Sequence, residues 1–455
     1  RPVDQWPRID LLIPTYNEGP EILRGTLQAA RQIAYPRLAI HVLDDGGRPW
    51  LAGLCRDWGL HYHHRSDNRG AKGGNLDFGV QRTDGDYIAC LDADFQARPD
   101  FALRLAAILE DPAIGLVQAP QHYRNADPVQ RNLGGSDAWT EEQRLFFDVA
   151  LPARDAWGNA LCVGSGWLAR RAVFDRLGGY PAETVAEDIQ LGYACKAVGW
   201  QTAYLDEPLA LGLAPEDLPT YIVQRSRWSR GAMQLLSAPS GPIRLAGLSL
   251  LDRLFYCDIS WYWFGHGALA LVLAAPLVYG IAGLPAFDCS LAEITGHILP
   301  RIIVLTGVMA WLTEGRCLPL ITPIKKLLTL FWVLPGMAAT LLRPHATPFQ
   351  VSDKGGASDT IRIHWRLLAP FLICLLATLL AIALTYRHDY SRFAWSDYTA
   401  LNMVLASYNL VVLFLCCCAC VERPPTAAEA DGPQYVTGSL PATLKTLMGR
   451  FWSPD

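Results

Sequence analysis

No excess of one charge marks this sequence. Its 39 Lys and Arg stand against 43 Asp and Glu, a formal net charge of -4. Nothing in that balance favours nucleic acid or another polyanion as a partner. Paired cysteine spacing is missing from the polar first half, so the 12 Cys indicate no disulfide framework. Four of them, Cys416, Cys417, Cys418 and Cys420, sit together in an apolar run, where Cys acts as a small hydrophobe. No secretory leader and no initiating Met precede Arg1, and the expectation is that a further segment lies upstream. Internal repeats and long Pro/Gly-rich spacers are absent as well.

What is there divides in two. At 455 residues, of which 51% are hydrophobic, the chain is long enough for two or three domains. Asp, Arg and Gly are dense as far as residue 250 or so, and from Phe255 onward long runs of Leu, Ala, Trp and Cys take over. The expected division is a soluble domain at 1–235, a membrane domain at 236–421 and a short tail at 422–455.

In the soluble part, apolar stretches at Ile9–Pro14, Leu38–Leu43, His61–His64 and Tyr87–Leu91 read as strands. Helical patterns at Glu21–Ala34, Trp50–Trp58 and Asp100–Leu109 alternate with them. That alternation predicts a mostly parallel sheet covered on both faces, with ligands at the carboxyl ends of its strands. Both clusters of acids fall at such ends. Asp92 and Asp94 share a face if the extended geometry persists, and they either cap the next helix or hold Mg²⁺ or Mn²⁺ on a diphosphate. Asp44-Asp45-Gly46 is a turn or a nucleotide contact. Lys72, in the Gly-rich stretch Gly70–Asn75, approaches phosphates or is a solvated turn lysine. Glu187-Asp188 opens a helical stretch, where acids serve the helix dipole or one of them removes a proton from a sugar hydroxyl. Gln224–Trp228 anchors a helix at a bilayer surface or belongs to a site.

Taken in order, these stretches resemble the processive family 2 glycosyltransferases, and most closely the bacterial cellulose synthase superfamily. The matching pieces are Asp10–Glu18 (DLLIPTYNE), Asp44–Gly47 (DDGG), Gly70–Asn75 (GAKGGN), Asp92–Asp94 (DAD), Glu187-Asp188 (ED) and Gln224–Trp228 (QRSRW). Val117–Leu133 and Gly164-Ser165 are similar to that superfamily too. The resemblance implies an α/β GT-A glycosyltransferase domain followed by an α-helical transmembrane domain with interfacial helices. It implies that Thr15, Tyr16, Glu18, Asp44 and Asp45 hold uridine and that Lys72 faces the nucleotide end of the donor. Asp92 and Asp94 carry the metal, and Asp188 is the general base. Gln224, Arg227 and Trp228 line the channel mouth: Gln224 and Arg227 bind the donor, with Arg227 facing its pyrophosphate, and Trp228 stacks on the acceptor sugar, with Glu187, Gly164 and Ser165 also on the acceptor side. Phe349–Gly356 resembles a gating loop, with Phe349, Val351, Ser352 and Lys354 on the pattern. UDP-glucose, a growing glucan, membrane lipids and accessory subunits are the partners it implies.

Several positions depart from the cellulose pattern. Ala186 stands where Thr usually precedes Glu-Asp, Val163 replaces Cys, and Ser352 replaces Thr. The tail at 422–455 is short for a cyclic-di-GMP-binding barrel. These departures point to a (1,3)- or mixed-linkage β-glucan, as in curdlan synthases, with cellulose as the alternative. Chitin- or hyaluronan-type synthesis from UDP-N-acetylglucosamine is a second alternative. An export channel with an inactive transferase domain is a third, disfavoured because every acidic motif is intact.

Four runs are long enough to span, roughly Phe255–Leu284, Ile298–Leu312, Leu367–Tyr386 and Tyr398–Cys420, given that a span needs about 20 apolar residues. Lys325–Leu342, broken by Pro335 and flanked by Lys325, Lys326 and Arg343, reads as an interfacial helix. The connection Glu314–Arg366 is rich in Lys and Arg, whereas Leu284–His297 has neither. The positive-inside rule therefore places the long connection and the catalytic domain in the cytoplasm of a bacterial plasma-membrane protein. Trp261, Trp263, Trp311, Trp332 and Trp395 fit interface belts or a channel lining.

Overall fold

The computed structural model describes residues 3–136, 143–285, 290–314, 321–344, 360–392 and 397–425. Strand β1 (Ile9–Thr15) is buried along its whole length. It runs on through Pro14, pairing in parallel with β2 (Leu38–Asp44) as far as Thr15 opposite Asp44. Helix α1 (Pro20–Arg31) lies between them; Pro20 fills its first position, where the missing N–H is not needed. After β2 come α2 (Pro49–Asp57), β3 (His61–His63), α3 (Ala71–Val80) and β4 (Tyr87–Cys90). Strands β3, β2, β1 and β4 are mutually parallel, as the alternating pattern predicts.

Beyond β4 come β5 (Gln96–Ala97), α4 (Phe101–Ile108), β6 (Ile114–Gln118), β7 (His122–Tyr123) and α5 (Pro128–Asn132). Two short helices follow, α6 (Gln143–Leu145) and α7 (Leu151–Asp155), then β8 (Trp167–Arg170), α8 (Arg171–Leu177), α9 (Glu187–Ala197), β9 (Gln201–Tyr204) and β10 (Ala210–Gly212). The main sheet runs β3-β2-β1-β4-β8-β6-β9, and β5, β10 and β7 form a small second sheet. Strand β8 is antiparallel to both neighbours. That reversal sets Trp167, at the start of β8, opposite Cys90, at the end of β4. Chain just ahead of β8 therefore arrives at the same edge as the acids that follow β4.

The helical half comprises α10 (Leu218–Ser237), α11 (Leu250–Ala282), α12 (Leu291–Glu293), α13 (Leu299–Leu312), α14 (Ile321–Leu342), α15 (Trp365–Arg392) and α16 (Asp397–Ala419). A two-residue strand β11 (Arg362–Ile363) precedes α15 and pairs with β12 (Val421–Glu422) after α16. Among the described residues, five stretches are long and apolar enough to cross a membrane: Leu250–Ala282, Thr295–Leu312, Thr322–Leu342, Trp365–Arg387 and Tyr398–Ala419. Four of these answer to the runs counted from sequence. The fifth is α14, expected as an interfacial helix; it packs against α10, α11 and α16, with 50% of its apolar window buried.

The two halves share packed core. Val129 of α5 and Leu218, Tyr221 and Ile222 of α10 lie in one apolar cluster with Ile324, Leu327 and Leu328 of α14, Phe371 of α15 and Val412 and Leu413 of α16. At its edge, Lys325 Nζ donates to Asp127 Oδ2 across 2.7 Å, with both side chains almost wholly shielded from solvent. Burial works to raise the Asp127 pKa, but Lys325, the Gln130 N–H and Arg225 together outweigh it and the net shift is downward. Removing one partner of such a pair strands the other charge. Lys325→Met is expected to cost about 3–5 kcal/mol. Thermal unfolding of the detergent-purified chain checks this, with the double variant Asp127→Asn/Lys325→Met expected to melt higher than Lys325→Met alone.

Candidate active site

Thr15, Tyr16 and Glu18 lie at the end of β1. The Thr15 hydroxyl and the Tyr16 N–H both donate to Glu18 Oε2, at 2.5 and 2.9 Å, and this closes a tight turn that leaves Tyr16 42% exposed. Asp44, at the end of β2, is fully buried. Its Oδ1 accepts from Gly46 N–H and the Arg48 guanidinium, and its Oδ2 from Arg48 N–H and the Tyr62 hydroxyl. Arg48 also donates to Thr15 Oγ1 and to the Glu18 carbonyl, so one guanidinium joins two strand ends. Asp45 is gripped by Arg65 in a bidentate way, one guanidinium nitrogen on each carboxylate oxygen, at 2.5 and 2.7 Å. Sequence reasoning missed Arg48, Arg65 and Tyr62. Arg48 stands four residues from Asp44 and was within reach of inspection; Arg65 carried no signal.

Gly70 to Asn75 is the start of a helix and not an open loop. Gly70, at φ +69°, is the left-handed residue that turns the chain into α3, placing Lys72 in the first turn. Lys72 Nζ lies 2.5 Å from Asp92 Oδ1 and donates to the Gly164 carbonyl at 2.8 Å. Asp92 N–H in turn donates to Ser165 Oγ at 2.9 Å. The extended geometry does not persist through Asp92-Ala93-Asp94: Phe95 N–H closes a turn onto the Asp92 carbonyl at 3.0 Å. In that turn Asp92 is partly open, whereas Asp94 is only 3% exposed. Gly164 requires its lack of a side chain, because at φ +93° a Cβ would sit 3.0 Å from Asp188 Oδ2 and 3.5 Å from Lys72 Nζ. Its loop is fixed by Gln118, bonded to Val163 N–H and the Ser165 carbonyl, and by Gln121 on the Val163 carbonyl. Neither glutamine was singled out from sequence.

Glu187 and Asp188 open α9 without capping it; Ala186 is the N-cap and offers no side-chain bond. Asp188 Oδ1 accepts only from the adjacent Ile189 N–H, at 2.8 Å, and its other oxygen faces Gly164. Burial raises the Asp188 pKa, with Lys72 working against it. Burial, reinforced by the charge of Asp188, pushes Glu187 up to about 7. The backbone of α10 then passes directly behind: a Cβ on Gly231 would lie 3.0 Å from the Ala186 Cβ. Gln234 Oε1 accepts from Val185 N–H at 2.9 Å. Along the same helix, Gln224 is buried with no hydrogen-bond partner for its Oε1 among the described residues. The charge of Arg227 reaches Glu187. Trp228 packs beside Met233, Trp263, Val333 and Met337. The cation over its ring is that of Arg225, at 4.3 Å, a residue sequence reasoning passed over. Phe349, Val351, Ser352 and Lys354 lie outside the described residues.

Asp92, half-buried, and Asp94 supply two carboxylates from one turn, a donor set of the oxygen chemistry that suits a divalent cation and would hold one. Among the described residues no cluster of three or more His, Cys, Asp or Glu forms a cage made by protein alone.

A sheet of this order, with acids at its carboxyl edge and a lysine joining Asp92 to the Gly164 loop, is shared with known glycosyltransferases. Residues 10–178 match the profile described as Glycosyl transferase family 2. The chain belongs to the family 2 glycosyltransferases, within the cellulose synthase superfamily. It is 32% identical over 98% of its length to the cellulose synthase catalytic subunit (UDP-forming) of Pseudomonas fluorescens, of which it covers 60%. Cellulose synthase 1 of Komagataeibacter xylinus is 33% identical over 78% of the chain, which covers 23% of that protein. The chain thus spans well under two thirds of the length of these relatives. A mannosyltransferase from Pyrobaculum calidifontis, solved with GDP-Man and Mn²⁺, shares the fold at TM-score 0.53 and 17% identity, over 75% of this chain and 89% of that one.

The buried acids generate a direct test. At pH 6 Glu187 is expected to hold a proton and to lose it near pH 7, giving a carboxylic C=O infrared band that fades over that range. Glu187→Gln should lack the band. Asp188→Asn removes the like charge and should move the titration to lower pH. A band that is gone by pH 5 in the wild type contradicts this.

Proposed function

We propose that the chain is a processive, inverting β-glucan synthase that takes glucose from UDP-glucose and passes the polymer across a bacterial plasma membrane, with its catalytic domain in the cytoplasm. The observation that carries this reading is the convergence on Gly164 of Lys72, Asp92 and Asp188. Directly behind them, at Ala186, lies the helix that bears Gln224, Arg227 and Trp228.

In this reading Asp188 removes the proton from the acceptor hydroxyl. The acceptor oxygen then forms its bond to the anomeric carbon as the bond to the diphosphate oxygen breaks, and the electron pair leaves with UDP. A single displacement inverts the centre and needs one base only. The raised Asp188 pKa suits a group that must accept a proton, because a more basic carboxylate is the better acceptor. Lys72 lies where negative charge develops on the leaving group, and its contact with Gly164 keeps it there. Asp92 and Asp94 would hold Mg²⁺ or Mn²⁺, which supplies further charge neutralisation to the diphosphate when bound. Thr15, Tyr16 and Glu18 border the nucleoside end. Asp44 and Asp45 act there through the arginines that they hold. Trp228 offers an aromatic face on the acceptor side, which binds sugar C–H surface without fixing its register.

The names of the relatives favour a (1,4)-linked product. The (1,3)- or mixed-linkage reading rests on two replacements beside the base, Ala186 and Val163. Full-length protein in lipid nanodiscs, supplied with radiolabelled UDP-glucose and Mg²⁺ or Mn²⁺, should release UDP and build insoluble polymer. Digestion by a (1,4)-specific but not a (1,3)-specific glucanase supports cellulose, and the opposite pattern supports the other linkage. Asp188→Asn should lower the rate by about 10²- to 10⁴-fold with UDP still bound. Full activity in that variant removes Asp188 from the role.

A further inference from the structure

Helix α10 is held differently at its two ends. Its C-terminal half is tied to the base-bearing segment: Gly231 lies against Ala186, Gln234 bonds Val185 N–H, and the Ala232 carbonyl accepts from Ser260 of α11 at 2.7 Å. At the other end, Asp217 caps the Thr220 N–H at 2.7 Å, and Pro219 has no N–H to satisfy. The first N–H of the helix, that of Leu218, donates to Glu422 Oε2 at 3.1 Å.

Glu422 is far away in sequence, in β12 just past the last candidate span, and is 1% exposed. Its Oε1 is paired with Arg131 of α5, whose guanidinium also donates to the Glu216 carbonyl ahead of α10. His364, at the head of α15, lies 3.2 Å from Glu422 Oε2. The neighbouring Asn132 donates to the Ala419 carbonyl at 2.9 Å and accepts from Arg423 N–H, which caps the end of α16. The last span, the head of α15 and the first turn of α10 therefore meet on one carboxylate. Apolar contacts of Leu218, Tyr221 and Ile222 also hold this end. They are non-directional, so they set its depth and leave its axial register to the polar bonds.

We propose that Glu422 is a positioning residue for the acceptor side of the site: it fixes the register of the first turns of α10, and through them Gln224, Arg227 and Trp228, against the bundle. This rests on the polymer-synthase reading. A carboxylate is required because it serves two donors at once, one of them a buried guanidinium that has no water to turn to.

The test compares wild type, Glu422→Ala, Glu422→Gln and Arg131→Gln/Glu422→Gln in nanodiscs. Hydrogen–deuterium exchange in Glu422→Ala should speed up roughly ten- to a hundredfold in peptides covering 218–227. Peptides covering 229–237 should keep the wild-type rate. Polymer length should shorten severalfold while the affinity for UMP stays within about twofold, because the nucleoside-side residues Thr15, Tyr16, Glu18, Asp44 and Asp45 lie at the ends of β1 and β2. Should Glu422→Ala fail to fold, Glu422→Gln carries the same comparison. The double variant, which buries no unpaired charge, should exchange more slowly than Glu422→Gln alone. Unchanged exchange, equal acceleration along all of α10, or a UMP affinity that falls in step with the loss of length overturns the proposal. If the wild type makes no polymer, the synthase reading fails on its own, and the exchange pattern along α10 still decides what Glu422 holds.

Discussion

The site depends on one ammonium group. Lys72 Nζ lies between Asp92 and the Gly164 carbonyl, and Asp188, from the first turn of α9, comes against the same glycine. Three acids, Asp92, Glu187 and Asp188, would repel one another if gathered here alone. Burial raises the Lys72 problem in the opposite sense, favouring the neutral amine, but the surrounding carboxylates outweigh it and hold the proton on. Each charge makes the others tolerable. The arrangement is stable only as a set, and within it Glu187, pushed up to about 7 by burial and by the charge of Asp188, keeps its own proton below that pH.

Two features of the backbone make that gathering feasible. The antiparallel insertion of β8 delivers Gly164 and Ser165 to the edge where β4 delivers Asp92. The left-handed Gly70 starts α3 early enough to point Lys72 into the same space. Around them, two arginine contacts, Arg48 on one oxygen of Asp44 and Arg65 bidentate on Asp45, stiffen the ends of β2 and its neighbours. The second tier is therefore cationic where the first is anionic.

The junction with the helical half follows the same logic with fewer groups. Helix α5 is only five residues long, yet Asp127, Arg131 and Asn132 each bind a different part of the bundle, and Val129 enters its apolar core. Buried ionic contacts are directional and intolerant of displacement, which apolar packing alone is not. A catalytic domain joined in this way holds a set position relative to the spans. Under the proposed synthase reading, a polymer passing from one half to the other needs that constancy.

Much of this was legible in the sequence, and the boundary of what was legible has a cause. Hydrophobic periodicity is local, so β1 to β4, α1, α2 and most of the long apolar helices could be read from it. The acids at strand ends could be placed as well, since a parallel sheet sends its ligands to that edge. The order of motifs was enough to place the chain among family 2 glycosyltransferases. What depended on contacts between distant segments could not be read in this way. The helical start at Gly70 hides behind three glycines, and the turn at Asp92 behind an apparently extended run. The engagement of Asp44 and Asp45 by arginines, the reach of Gly164 to Lys72 and Asp188, and the meeting of Arg131 with Glu422 each join residues that no local pattern links. Sequence by itself determined which chemical groups exist and which segments are apolar, because those are properties of neighbours along the chain. Only the tertiary structure decided which charges face one another, because that depends on how strand order and helix packing close loops across hundreds of residues.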